Sequence, residues 1–122
     1  MMAADEASRT LGITVDSYGD GQAVARMTVR ADMVNGHDIA HGGLVFTLAD
    51  TAFAAACNSV AAPTVAAAAE IVFVAPARLH DDLVATAAVR TTFGRSGVYD
   101  VTVRRGDAVI AEFRGRSQQV RG

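Results

Sequence analysis

Lysine is absent from this chain, and all 11 of its basic side chains are arginines. Set against 13 acidic residues they leave a formal net charge of −2, so there is no basic field of the kind that draws nucleic acid. Cysteine is nearly absent too. The single thiol, Cys57, excludes an internal disulfide and leaves no cysteine cluster for zinc; set in an apolar run, it reads as a small core residue. No repeat, low-complexity tract or Pro/Gly/Ser-rich linker divides the sequence. With 20% charged and 51% hydrophobic residues, the composition excludes a disordered chain and suits one globular domain over residues 1–122. The opening Met-Met-Ala-Ala-Asp-Glu is acidic and lacks the basic region and apolar core of a signal peptide. The run from Gly42 to Val60 approaches membrane-spanning length, but it has an acid near its centre and no basic flanks. A soluble cytoplasmic protein with no membrane partner is expected.

What is present is a change of period along the chain. Ala3 to Leu11 suits a short helix ending near Gly12. Ile13 to Ser17 suits a short strand, and Gly19-Asp20-Gly21 a turn. Ala25, Met27 and Val29 alternate with Arg26, Thr28 and Arg30, the period of a half-buried strand. After an irregular stretch from Ala31 to Ala40, the run from Gly43 to about Ser59 is too long for a strand. It is rich in Ala and Leu and predicts a helix. Its apolar residues go all the way round, which predicts a helix wrapped by protein. Four strand candidates follow: Val65 to Val74, Leu83 to Thr92, Val98 to Arg104 and Ala108 to Gln118. Short links between them predict an antiparallel sheet, and a sheet curled round the one apolar helix would cover it. Arg105-Gly106-Asp107 reads as hairpin chemistry rather than a recognition tripeptide.

Asp50 is the only charged residue between Gly42 and Ala69. An unpaired charge in an apolar interior is too costly to persist, so Asp50 must face a polar cavity, a partner subunit or water. Seven residues before it, Gly43 lies on nearly the same helical face, with Gly42 beside it at the helix entry. The first amides of a helix lack internal partners and carry the positive end of its dipole, so they could hold a carbonyl oxygen that gains charge; equally, the two glycines could serve only the turn. Thr47, Asp50, Ala54 and Cys57 form a small, partly polar stripe able to line a cleft. The rise from Gly43 to Asp50 is roughly 10 Å, whereas reacting atoms must approach to about 3–3.5 Å. If both ends of this stripe are catalytic, they come from different subunits, with two antiparallel copies of the helix across a two-fold axis.

Asn35, His37 and His41 cluster just before the helix. The His37/His41 spacing suits a metal only on a helix, which Asn35-Gly36 opposes, and further ligands are missing; no metal site is expected. Asn35 could hold water or a thioester oxygen, or simply make a turn. His41 could orient a carbonyl or only enter the helix. Gly94-Arg95-Ser96-Gly97 could bind a phosphate or be an ordinary hairpin loop.

The strings Met33-Val34-Asn35-Gly36-His37, His41-Gly42-Gly43-Leu44-Val45-Phe46-Thr47-Leu48-Ala49-Asp50-Thr51-Ala52-Phe53-Ala54 and Ala56-Cys57-Asn58-Ser59 closely resemble the hotdog-fold acyl-CoA thioesterases of the phenylacetic acid degradation type. Gly97-Val98-Tyr99-Asp100-Val101 and Phe113-Arg114-Gly115 extend the resemblance over nearly the whole chain after Ser17. It implies an α+β hotdog fold, a six-stranded antiparallel sheet wrapped around one long central helix. It also implies a homodimer with active sites at its interface, commonly a dimer of dimers. The implied reaction is hydrolysis of arylacetyl-CoA thioesters, phenylacetyl-CoA and its ring-hydroxylated relatives, with coenzyme A as part of the substrate and no other cofactor. Asp50 matches the catalytic carboxylate, Gly42 the glycine whose amide polarises the carbonyl, and Asn35 the asparagine near the reacting centre. His41 belongs to the same motif; Gly43, Thr47, Arg95, Ser96 and Gly97 are expected to contact substrate. Ile71-Val72-Phe73-Val74-Ala75-Pro76 departs from the pattern, lacking the acid and the arginine that often precede that proline. Other readings of these residues are a hotdog dehydratase or hydratase and a non-catalytic acyl-CoA-binding module.

Overall fold

The computed structural model describes residues 5–120. The first two residues of the predicted N-terminal helix lie outside them, as does the opening tetrapeptide. Within them the chain runs α1 (Glu6–Thr10), β1 (Thr14–Gly19), β2 (Gln22–Thr28), a 3-10 turn (Ala31–Met33), α2 (Gly42–Val60), β3 (Thr64–Phe73), β4 (Asp82–Phe93), β5 (Ser96–Arg105) and β6 (Ala108–Gln119). Each predicted strand is found, with no end shifted by more than three residues. One such difference falls at Gly94-Arg95-Ser96-Gly97. Phe93 pairs with Ser96, so only Gly94 and Arg95 turn the chain and Ser96 and Gly97 already belong to β5.

All six strands form one antiparallel sheet in the order β1-β2-β4-β5-β6-β3. Two-residue hairpins join β1 to β2, β4 to β5 and β5 to β6. In the first, Asp20 and Gly21 both take positive φ, the backbone that matches strand twist in a tight hairpin. The chain leaves β2, crosses the sheet through α2 and lands β3 on the far edge. β4 then returns to pair with β2. One antiparallel sheet over one long helix is what the strand pattern predicts, and it is the hotdog arrangement that the resemblance implies.

The inner face is set by alternation. Ala23, Ala25 and Met27 of β2, Leu83, Ala85 and Ala87 of β4, Val101 and Val103 of β5, and Ala111 and Phe113 of β6 are buried. They lie with the buried Val45, Leu48, Ala49, Ala52, Phe53 and Ala56 of α2 in one core. The alanines let the helix sit close to the sheet. Phe53 packs edge-on against Tyr99 at 5.5 Å between ring centres, and Phe46 against Phe113 at 5.3 Å; such pairs add about 0.5–1.5 kcal/mol beyond burial. By length and composition α2 could cross a membrane, but here it is the core of the sheet.

The expectation that protein wraps α2 on all sides is corrected. Gly43 is exposed, and Thr47, Asp50 and Ala54 are only half-buried, so one face of the helix stays open. One curled sheet reaches round only part of a helix. Beside this open face lies β3, an edge strand whose Val65, Val72 and Phe73 are all more than half exposed, as is Val74 just beyond it.

Candidate active site

The segment between β2 and α2 is a loop closed on itself. Val34 and Ala40 form an isolated antiparallel bridge, and the His41 amide donates to the Met33 carbonyl at 3.0 Å. Inside the loop, the side-chain oxygen of Asn35 accepts the amides of His37 at 2.8 Å and Ile39 at 3.2 Å. Both partners are N–H donors, so the Oδ1 of Asn35 is committed to the loop and its NH2 group faces away from these two bonds. Asn35 therefore does make the turn, and among the described residues its NH2 group meets no acceptor. His37 sits in a turn, not a helix, so the helical i,i+4 spacing does not apply to His37 and His41.

His41 is the N-cap of α2 in extended conformation, and its side chain makes no capping bond. Among the described residues, the amides of Gly42 and Gly43 donate to no group. They form the positive end of a 19-residue helix. A Cβ on Gly42 would stand 2.8 Å from the ring of Phe73. The β3 edge lays this ring over the helix entry, so a side chain at position 42 would have to push it aside, a contact the sequence pattern does not signal.

Two turns on, Asp50 is half-buried and has no hydrogen-bond or ion-pair partner among the described residues. Burial, and then the carboxylate of Asp5, push its pKa above the ordinary carboxylate value. Asp5 is carried there by α1. It caps that helix through Ser8, and the Ser8 hydroxyl meets the Thr51 hydroxyl of α2 at 2.9 Å in a buried contact. Thr47 hydrogen-bonds back to the Gly43 carbonyl at 2.8 Å, so its hydroxyl proton is used within the helix.

The predicted stripe divides at its far end. Ala54 stays half-exposed, whereas Cys57 turns inward, and burial pushes its thiol pKa up to about 11, leaving it protonated and unreactive at neutral pH. Cys57 instead lines a cavity of about 200 Å3 at the C-terminal end of α2, with Arg95, Ser96, Gly97, Tyr99 and Ser117 among the other walls. Asn58 fixes this end. Its carboxamide donates to the Thr64 carbonyl and accepts the Thr64 amide, both at 3.0 Å, tying α2 to the start of β3.

The sequence-predicted residues thus fall into three groups. Asn35, His41, Gly42 and Gly43 gather at the N-terminus of α2. Asp50 stands alone at mid-helix. Arg95, Ser96 and Gly97 lie at the opposite end. Phe73, Tyr99, Ser117 and the Asp5–Ser8–Thr51 link escaped the sequence reading. Alternation in β5 puts Tyr99 on the inner face with Gly97, a signal that marks it as core without marking it as polar.

Comparison with known proteins accords with this geometry. The family model described as "Thioesterase superfamily" matches residues 37–112. The acyl-coenzyme A thioesterase PaaI of Escherichia coli is 46% identical over 123 residues, covering 100% of this chain and 88% of its own. The structure of the E. coli PaaI protein from the phenylacetic acid degradation operon superposes with a TM-score of 0.96, covering 100% of this chain and 89% of that one at 45% identity. A variant of the phenylacetic acid degradation protein PaaI from Thermus thermophilus superposes with a TM-score of 0.91, covering 95% of this chain and 100% of that one at 32% identity. A family model over more than half of the chain and a relative 46% identical over its whole length place it plainly: the chain belongs to the thioesterase superfamily.

Proposed function

We propose that this enzyme hydrolyses acyl-CoA thioesters, arylacetyl-CoA in particular, at sites shared between two subunits. The observation that carries this reading is the separation of Asp50 from the Gly42 and Gly43 amides along one open helix face. A rise of roughly 10 Å keeps them from one carbonyl within a chain. Two antiparallel copies of α2 bring each glycine pair beside the partner subunit's carboxylate. The long apolar edge of β3 supports the same pairing, since an unpaired hydrophobic edge strand favours another strand beside it. A homodimer accounts for both features.

In this arrangement the Gly42 amide, with Gly43 beside it, holds the thioester oxygen, and the free NH2 of Asn35 donates to the same centre. Asp50 from the other subunit attacks the carbonyl carbon directly or takes a proton from an attacking water. In the first route the C–S bond breaks as the acyl–Asp50 anhydride forms, coenzyme A leaves and takes a proton from water, and water then hydrolyses the anhydride; in the second, water's oxygen adds to the carbonyl, the C–S bond breaks and the proton held by Asp50 passes to the departing thiolate. His41 orients the helix entry, and Thr47 lines the cleft beside Asp50. No metal or organic cofactor enters these steps. In a dimer of dimers, Arg95 at the exposed hairpin tip, without an ion-pair partner among the described residues, meets the diphosphate of a substrate held by the adjacent pair, beside Ser96 and the Gly97 backbone. The E. coli relative's name and operon support the acyl-CoA and arylacetyl assignments, and a coenzyme A substrate goes with a cytoplasmic location.

The test is subunit complementation with a thiol-trapping assay over a panel of acyl-CoAs. Asp50→Asn chains, which lack the carboxylate, and Asn35→Asp chains, which lack a donor at the glycine end, are each expected to keep no more than about a hundredth of wild-type turnover. Refolded together, they form hybrids with one intact site, restoring roughly a quarter of wild-type thiol release by random pairing of two equivalent sites. No recovery from demonstrated hybrids refutes the shared site.

A further inference from the structure

The loop that carries Asn35 lies against the connection between β3 and β4, and backbone bonds zip the two together. Ile39 and Arg78 form an isolated antiparallel bridge. The Ala40 amide donates to the Ala77 carbonyl at 2.8 Å, and the Leu79 amide to the Asp38 carbonyl at 3.1 Å. Ile39 also meets Asn35 twice. Its amide donates to the Asn35 Oδ1 at 3.2 Å, and its carbonyl accepts the Asn35 amide at 2.9 Å. A single residue, Ile39, thus separates the Asn35 carboxamide from Arg78.

Asp81 fixes the Arg78 side of this seam. One oxygen of its carboxylate accepts both the Arg78 amide and the Arg105 guanidinium, each at 2.8 Å, and the Asp81 amide donates to the Arg78 carbonyl at 3.0 Å. Partial burial disfavours the charge on Asp81, but Arg105 and the Arg78 amide outweigh it and hold the pKa below the ordinary carboxylate value. The group is therefore ionised at neutral pH and both bonds are charge-assisted. The same turn is pinned to the sheet. The Asp81 carbonyl accepts the Val29 amide and the His80 amide donates to the Val29 carbonyl, both at 2.9 Å, just past the end of β2, while Arg105 ends β5. The carboxylate joins two strand ends to the loop that presents Asn35.

Backbone strain marks both sides of the seam. Asp38 (φ 59°) and His80 (φ 74°) hold left-handed conformations that residues with side chains adopt only at a cost. Such conformations persist where the surroundings over-determine them, and they gather where geometry is used. A partly exposed ion pair such as Asp81–Arg105 contributes little to stability. Its consequence lies in placement, because a displacement of about 1 Å at a reacting group costs about 10²-fold in rate.

We propose that Asp81 is a positioning residue for the thioester reaction: through Arg78 and Ile39 it sets where the Asn35 carboxamide stands. The assignment rests on the donor role given to Asn35 above.

The experiment is a double-mutant cycle between Asp81 and Asn35. It reads kcat by thiol release from the fastest substrate of the acyl-CoA panel, normalised to folded enzyme. Asp81→Ala is expected to lower kcat about ten- to a hundredfold. Asp81→Asn, whose amide oxygen accepts the same two donors, is expected to stay within about threefold of the wild type. In the Asn35→Asp background, Asp81→Ala is expected to cost no more than about twofold, since the donor it places is already gone. A merely structural residue costs the same factor in both backgrounds. Should Asp81→Ala fail to fold, Arg105→Ala serves instead. It leaves the Arg78 bond in place and is expected to lose about three- to tenfold, cancelled in the same background. Equal losses with and without the Asn35 donor, or wild-type kcat in the folded single variant, overturn the assignment and leave the thioesterase reading intact. Wild-type kcat in Asn35→Asp removes the donor role and this assignment with it. Absence of thiol release from every acyl-CoA by the wild type overturns the thioesterase reading itself.

Discussion

One pair of substitutions separates the structural role of Asn35 from the one proposed for it. Its Oδ1 holds the His37 and Ile39 amides, at 2.8 and 3.2 Å, and on the proposed mechanism its NH2 group donates to substrate. Asn35→Asp keeps an oxygen for both amides and deletes the donor. Asn35→Ala deletes both. The loop bonds are exposed, so water partly replaces them; together they contribute about 1–3 kcal/mol, toward the low end. Loss of one oxyanion-type donor costs about 10²–10³ in kcat. Asn35→Asp is therefore expected to unfold at or above the wild-type temperature, helped by a negative charge near the start of α2, while its turnover falls about a hundredfold or more. Asn35→Ala is expected to lose similar turnover and also to melt earlier. Thiol release and thermal unfolding on the same preparations read both effects. Wild-type kcat in folded Asn35→Asp refutes the donor role. Destabilisation of Asn35→Asp equal to that of Asn35→Ala refutes the accounting of the loop.

Asp50→Asn is expected to abolish turnover and yet to stabilise the fold near neutral pH, measured by denaturant unfolding. The raised pKa of Asp50 means that the folded chain holds this proton more tightly than the unfolded one, so stability from this group falls as pH climbs from the unfolded value to the raised folded value, and the deficit remains above it. A less stable Asp50→Asn contradicts that sign. The same shift predicts that kcat/KM falls as pH drops through the raised pKa, because the carboxylate must be ionised to act. Asp5→Asn removes the second cause of the shift and is expected to move this acid limb to lower pH; an unmoved limb removes Asp5 from the environment of Asp50. Phe53→Ala, at a site 1% exposed and touching Tyr99 and Phe113, is expected to cost about 3–5 kcal/mol in unfolding free energy.

Local chemistry in the sequence determined the elements, the hairpins and the motif residues. Period-2 alternation in β2, β5 and β6 told the inner face from the outer, the length of the Gly43-to-Ser59 run made it a helix, and a lone acid in that run made Asp50 a candidate. These signals are local because propensity and alternation act over a few residues. Tertiary structure alone decided which end of α2 each group joins. It put Arg95, Ser96 and Gly97 at the end opposite His41 and Gly42, folded Phe73 over Gly42, drew Asp5 toward Asp50 through Ser8 and Thr51, and opened a cavity over Tyr99. Each of these depends on β3 crossing to the far edge of the sheet and on how far a six-stranded sheet can curl, a long-range register that no short stretch of sequence encodes. The open face of α2 follows from the same limit: the sheet ends before it closes round the helix, and the side it leaves uncovered is the one that carries Asp50.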